Sequence, residues 1–160
     1  MQQSNVLLLY ETWLAFEESI SIPNFNCIVQ YKRSNVRAGG VAIYQNMHDT
    51  SNIITRNIDM TVRLTELTNS TVTSVGEFCV AECKMEDSNK IVLIVIYITP
   101  NQKLDDIIHF RKRILWPYTK AGGEYLSIGD DILPIILSRD FNVNFSREDA
   151  RPLIDFLQND

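Results

Sequence analysis

The sequence has little of what builds disulfide-stapled folds or crosses membranes. It carries three cysteines, Cys27, Cys79 and Cys83. An odd number gives no complete disulfide framework and fits reduced thiols inside a cell. Cys79 and Cys83 share the alternating stretch GEFCVAECKM. Along a strand that spacing separates them by about 13 Å, too far to chelate one ion, so both read as buried or half-buried thiols. The longest apolar run, Ile91 to Ile98, falls far short of the ~20 residues of a membrane helix. The N-terminal stretch MQQSNVLLLYETWL has no basic region and only a short apolar run, so it reads as neither a secretory signal nor a transit peptide. Positive charge is scarce too. The net charge of -5 argues against a sequence-blind, histone-like grip on nucleic acid. It leaves room for an enzyme acting on nucleic acid, because a metal can supply positive charge locally. Two short basic groups, Lys32 with Arg33 and Arg37, and Arg111 to Arg113, read as solvated surface.

What is present is globular. The chain is 45% hydrophobic and 22% charged over 160 residues, enough for one domain with a core. No repeat, low-complexity tract or linker divides it. NVLLLY reads as a short buried strand. FNCIVQYK and AGGVAIYQN read as a hairpin whose second strand opens on Gly39 and Gly40. NIITRNID and SVGEFCVAECKM read as further strands, with LTNSTVTS as a polar connection. IVLIVIYI is rich in β-branched residues and unbroken by polar ones, the pattern of a central strand buried on both faces. The period then changes. In KLDDIIHFRKRIL, Leu104, Ile107, Ile108, Ile114 and Leu115 fall on one helical face, and Pro117 limits its end. ILPIIL is the next strand, and SREDARPLIDFL is a second helix with Pro152 in its first turn. The order predicts an α/β sandwich of mixed, mostly antiparallel sheets with outer helices.

Polar residues stand where apolar strands stop. Glu11 follows VLLLY, Tyr97 lies just before the turn of IVIYITPN, and Asp140 and Asn142 follow PIIL. Strand ends are where such folds place chemistry. Taken singly, each also fits a plain role: a solvated terminus, a packing tyrosine, a turn. If the strand continues, Asp140 and Asn142 point to one face and Phe141 to the other. An acid and an amide aimed at one spot can orient a water and hold an oxyanion. One glutamate is enough protein for magnesium, which keeps waters and borrows phosphate oxygens. Arg139 alternates toward the face of Phe141. There an unpaired guanidinium costs several kcal/mol unless its head reaches water, so it reads as a lesion or an adjustment beside the carboxylate.

In that order the stretches LLLYETWL, RAGGVAIY, IVIYITPN and PIILSRDFNVNF resemble the endonuclease/exonuclease/phosphatase superfamily of abasic-site endonucleases and DNase I. They look most like endonuclease domains of eukaryotic transposons, of Helitron or non-LTR retrotransposon type. The resemblance implies a DNase I-like domain over residues 1–160, partial at both ends. The family's first strand, ending in a metal-site asparagine, is not found. Nor are its closing strands with an aspartate and a histidine, a role that neither His48 nor His109 is placed to fill. It implies a magnesium- or manganese-dependent endonuclease acting on DNA, with RNA left open. Glu11 is the metal ligand, Asp140 the residue that orients or deprotonates water, and Asn142 and Tyr97 hold the phosphate. Gly39 and Gly40 match a structural glycine pair. An intracellular place follows, nuclear if the substrate is DNA. The missing segments and Arg139 imply an alternative, an inactive remnant that acts as a weak nucleic-acid or protein-binding module.

Overall fold

The computed structural model describes residues 5–14, 18, 20–32, 38–49, 51–54, 75–84, 89–120, 122 and 133–159. They form two sheets and a helical layer. In the first sheet β3 (Val41–Asn46) is central, with β1 (Val6–Tyr10) and β2 (Phe25–Tyr31) antiparallel on either side. β2 and β3 form the expected hairpin, with an irregularity between Cys27 and Val29. The second sheet runs β4 (Asn52–Ile54), β5 (Gly76–Lys84), β6 (Lys90–Ile98), β7 (Ile135–Asp140). Its first two pairings are antiparallel and β6–β7 is parallel. The polar connection LTNSTVTS, and the NIITRNID strand beyond Ile54, lie outside the described residues.

Strand β6 explains the layers. Val95 and Tyr97, at odd positions, pack with Val41, Ile43, Cys79 and Ala81 between the two sheets. Ile94, Ile96 and Ile98, at even positions, pack under the helices with Ile107, Phe110 and Leu153. Successive side chains of a strand point to opposite faces, and both faces here meet apolar partners. An unbroken run of β-branched residues is therefore what the position demands.

Helix α1 (Leu104–Leu115) buries Ile107, Phe110, Arg111 and Ile114. It carries the chain from β6 to β7, as a parallel pair requires. The α-helix stops at Leu115, two residues before Pro117, as the sequence predicts. Pro117 sits inside a 3-10 turn, Trp116–Tyr118, where a proline near the start loses no needed donor. Helix α2 (Arg151–Asn159) follows a second such turn, Glu148–Ala150. Of the basic group on α1, Arg111 is 7% exposed and not solvated as the sequence suggests. Its guanidinium lies 4.7 Å from the Phe156 ring centroid, a cation–π contact that ties α1 to α2.

β5 carries a second charged residue into the core. Glu82 is 4% exposed and meets Lys90 Nζ at 2.9 Å. Lys90→Met removes that cation from a carboxylate held in the core. The substitution is expected to lower stability by about 1–3 kcal/mol, read as a lower urea midpoint at unchanged slope.

Candidate active site

Three strands bring three polar side chains into one row. Glu77 of β5 pairs with Tyr97 of β6, and Tyr97 pairs with Asp140 of β7. Directly paired residues project from the same face of a sheet, here the face turned to the first sheet, because Tyr97 packs in the inter-sheet core. Glu11 reaches the row from the other sheet, directly after β1. The Tyr97 phenol donates a hydrogen bond to the Glu11 carboxylate. Burial first, then the charge and hydrogen bond of Glu11, then the charges of Asp140 and Glu77, push the phenol above its ordinary pKa. Tyr97 therefore stays protonated at neutral pH and remains a donor.

Glu11 owes its place to the glycine pair. The chain turns sharply after β1, with φ of 54° at Glu11 and 53° at Trp13, a conformation that costs L-residues roughly 1–2 kcal/mol each. Backbone bonds hold it: Thr12 N–H donates to Gly40 O at 3.2 Å and Trp13 N–H to Gly39 O at 2.9 Å. Only glycine fits there. A Cβ on Gly40 would lie 2.2 Å from Thr12 Oγ1, and one on Gly39 2.5 Å from Glu77 Oε2. Both glycines also have positive φ, 93° and 94°.

At the other side of the row β7 stops at Asp140, so the strand alternation that would aim Asp140 and Asn142 together does not continue. Asn142 turns into the left-handed region at φ 48°. Its backbone N–H donates to Asp140 Oδ1 at 2.9 Å, a local turn that asparagine favours. Its side-chain Nδ2 donates to Ile98 O at 2.7 Å, so the amide is anchored to the end of β6. Asn142 is exposed, Asp140 and Glu11 are half-buried, and Phe141 is buried on the helix side at 4% exposure. Residues 139–145 line an open cleft of ≈ 440 Å³.

The structure thus brings Glu11, Tyr97 and Asp140 together, with Asn142 beside Asp140. It adds Glu77, which sequence reasoning passed over as one polar position in an alternating strand. A signal existed. Glu77 and Glu82 lie an odd number of residues apart, so one acid must point to each face of β5. Glu82 faces the helices and Glu77 the row. Glu77 is 0% exposed, and its Oε2 accepts a hydrogen bond from Gly40 N–H.

Arg139 is no lesion. It is exposed on edge strand β7, and its guanidinium lies 4.9 Å from the Phe141 ring centroid. The alternation was right and the burial was not: Phe141 sinks into the core while the longer arginine covers its ring from outside. Arg139→Gly forfeits about 0.5–1 kcal/mol of cation–π contact and adds a strand glycine at about 0.5–1 kcal/mol. A stability loss of about 1–2 kcal/mol is expected, read as a lower urea midpoint at unchanged slope, and an unchanged or higher midpoint would restore the lesion reading.

Two facing sheets, helices on the outer face of one of them and polar groups gathered at one end define a DNase I-like α/β sandwich. A solved structure of this architecture is the endonuclease domain of TRAS1, a telomere-specific non-LTR retrotransposon. It matches with a TM-score of 0.58 and 14% identity. The match covers 97% of this chain and 57% of that one, so the chain spans little more than half the length of its structural neighbour. No family model and no curated protein matches the sequence.

Proposed function

We propose that the chain is a metal-assisted nuclease that hydrolyses phosphodiester bonds in DNA. The observation that carries this reading is the convergence of Glu11, Tyr97 and Asp140 at one end of the sandwich. Support comes from the endonuclease domain that shares the architecture.

The residues fit magnesium or manganese. The row offers carboxylate oxygens, the hard donors such ions prefer. Among the described residues no three acid, histidine or cysteine side chains form a complete cage. Magnesium does not need one, since it binds through one or two carboxylates plus water and substrate phosphate. Glu11 would hold it, and the bound ion would offset charge developing on the phosphate oxygens. The rest of the work falls to the chain's own groups. Asp140, half-buried at the cleft, accepts the proton of the attacking water or aims it. Tyr97, kept protonated, donates to a phosphate oxygen in exchange for its bond to Glu11. Asn142 has a second amide N–H beyond the one given to Ile98 O, and it donates that hydrogen to the same phosphate.

Supercoiled plasmid in MgCl2 or in EDTA tests the proposal. Nicking that requires the metal is expected. No nicking, or nicking that persists in EDTA, overturns it.

A further inference from the structure

We propose that Glu77 is a positioning residue whose carboxylate fixes the place of Glu11 through the single peptide between Gly39 and Gly40. This rests on the reading of Glu11 as the metal-holding group.

That peptide is gripped at both ends. Its N–H, from Gly40, donates to Glu77 Oε2. Its C=O, from Gly39, accepts from Trp13 N–H at 2.9 Å. Carboxylate, peptide and Trp13 amide form one relay, and hydrogen bonds in such a chain polarise one another. The relay ends in the turn that carries Glu11, where Glu11 and Trp13 both have positive φ. A strained turn persists only where its surroundings over-determine it, and the relay is one of the two backbone bonds that hold this one. The other, Thr12 N–H to Gly40 O at 3.2 Å, uses the same glycine pair.

The chemistry of Glu77 fits this task better than plain packing. A fully buried carboxylate is costly unless hydrogen-bonded, and the middle of a sandwich is served as well by valine. What a carboxylate adds is a charge-assisted bond to an amide, roughly twice as strong as a neutral one. The room for it is made by the absence of a side chain: a Cβ on Gly39 would also press on Tyr97 Cε1 at 3.1 Å. Glu77 further faces Tyr97 across the β5–β6 ladder, and its charge is one of those that keep the phenol protonated. One residue thus braces the support of Glu11 and biases Tyr97, without lying on the open cleft.

Glu77→Gln keeps an acceptor of the same length and loses the charge. Glu77→Ala loses both. The test compares the two with the unsubstituted chain, all in a Trp116→Phe background that leaves Trp13 as the sole indole. Two readouts are taken: hydrogen-exchange protection of the Trp13 amide by NMR, and Trp13 fluorescence during MgCl2 titration. Protection of the Trp13 amide is expected to fall in the order Glu, Gln, Ala. The half-saturating MgCl2 is expected to rise in the same order, by about 10- to 100-fold for the alanine variant, the usual effect of losing a group behind a metal ligand. If alanine prevents folding, the glutamine variant decides, by showing or lacking an intermediate shift. A folded variant with unchanged Trp13 protection and unchanged MgCl2 response overturns the proposal. If the unsubstituted chain shows no magnesium response, the metal reading falls. The Trp13 amide then still judges whether Glu77 holds the turn.

Discussion

Asp140→Ala is expected to lower metal-dependent plasmid nicking by about 100- to 10,000-fold, the usual contribution of a positioned acid or base. That corresponds to about 3–5 kcal/mol of barrier. The fold does not depend on this charge. Asp140 ends its strand and is half-buried at an open cleft. Among the described residues its side chain accepts the Asn142 backbone N–H, and an asparagine oxygen accepts equally well. Asp140→Asn should therefore melt with the unsubstituted chain and still lose the activity. Nicking at the unsubstituted rate in a folded Asp140→Asn protein would remove Asp140 from the chemistry and leave Tyr97 beside Glu11 with no base.

The second large effect is on stability. Gly39→Ala is expected to cost about 2–5 kcal/mol in a urea melt. The left-handed backbone at φ 93° accounts for about 1–2 kcal/mol of this with any L-residue. The new methyl meets Glu77 Oε2 at 2.5 Å and Tyr97 Cε1 at 3.1 Å. Such overpacking adds about 1–3 kcal/mol. Neither neighbour can retreat cheaply, since Tyr97 is 2% exposed and Glu77 0%. A loss below about 1 kcal/mol would show that the glycine pair is looser than its contacts imply. A loss in this range would explain why Gly39 and Gly40 belong with the site as much as with the frame.

The layers were legible because they follow periodicity. An unbroken apolar strand and a helical stripe report directly on what surrounds them, so both faces of β6 and the apolar stripe of α1 could be read, but not the burial of Arg111 beside that stripe. The candidate site was legible in part as a cluster, for a different reason. Glu11 and Asp140 follow the ends of apolar strands and Tyr97 lies just before the turn of another, and strand ends are visible along the chain. Glu77 could not be read that way. Its meaning lies in which residue of β6 stands opposite, and register between strands is a property of the fold. The same holds for Arg139, whose alternation was correct but whose burial depended on β7 having an exposed face. Asn142 shows a third limit. Strand alternation predicts its direction only while the strand continues, and the Asp140 side chain closes a local turn instead.

The parallel pairing of β6 with β7 also sets an order of assembly. Glu77 and Tyr97 meet within a hairpin of strands adjacent in sequence, a contact of short loop closure that forms early. Asp140 joins only after the chain has traversed α1 and the stretch beyond it to lay β7 beside β6. Such non-local pairings form late, because the entropy of closing the loop is spent before any contact rewards it. A folding intermediate with the β5–β6 hairpin in place would hold the buried carboxylate and the phenol but lack Asp140. On this topology the row of candidate site residues is expected to assemble from the β5–β6 pair outward, with Asp140 joining last.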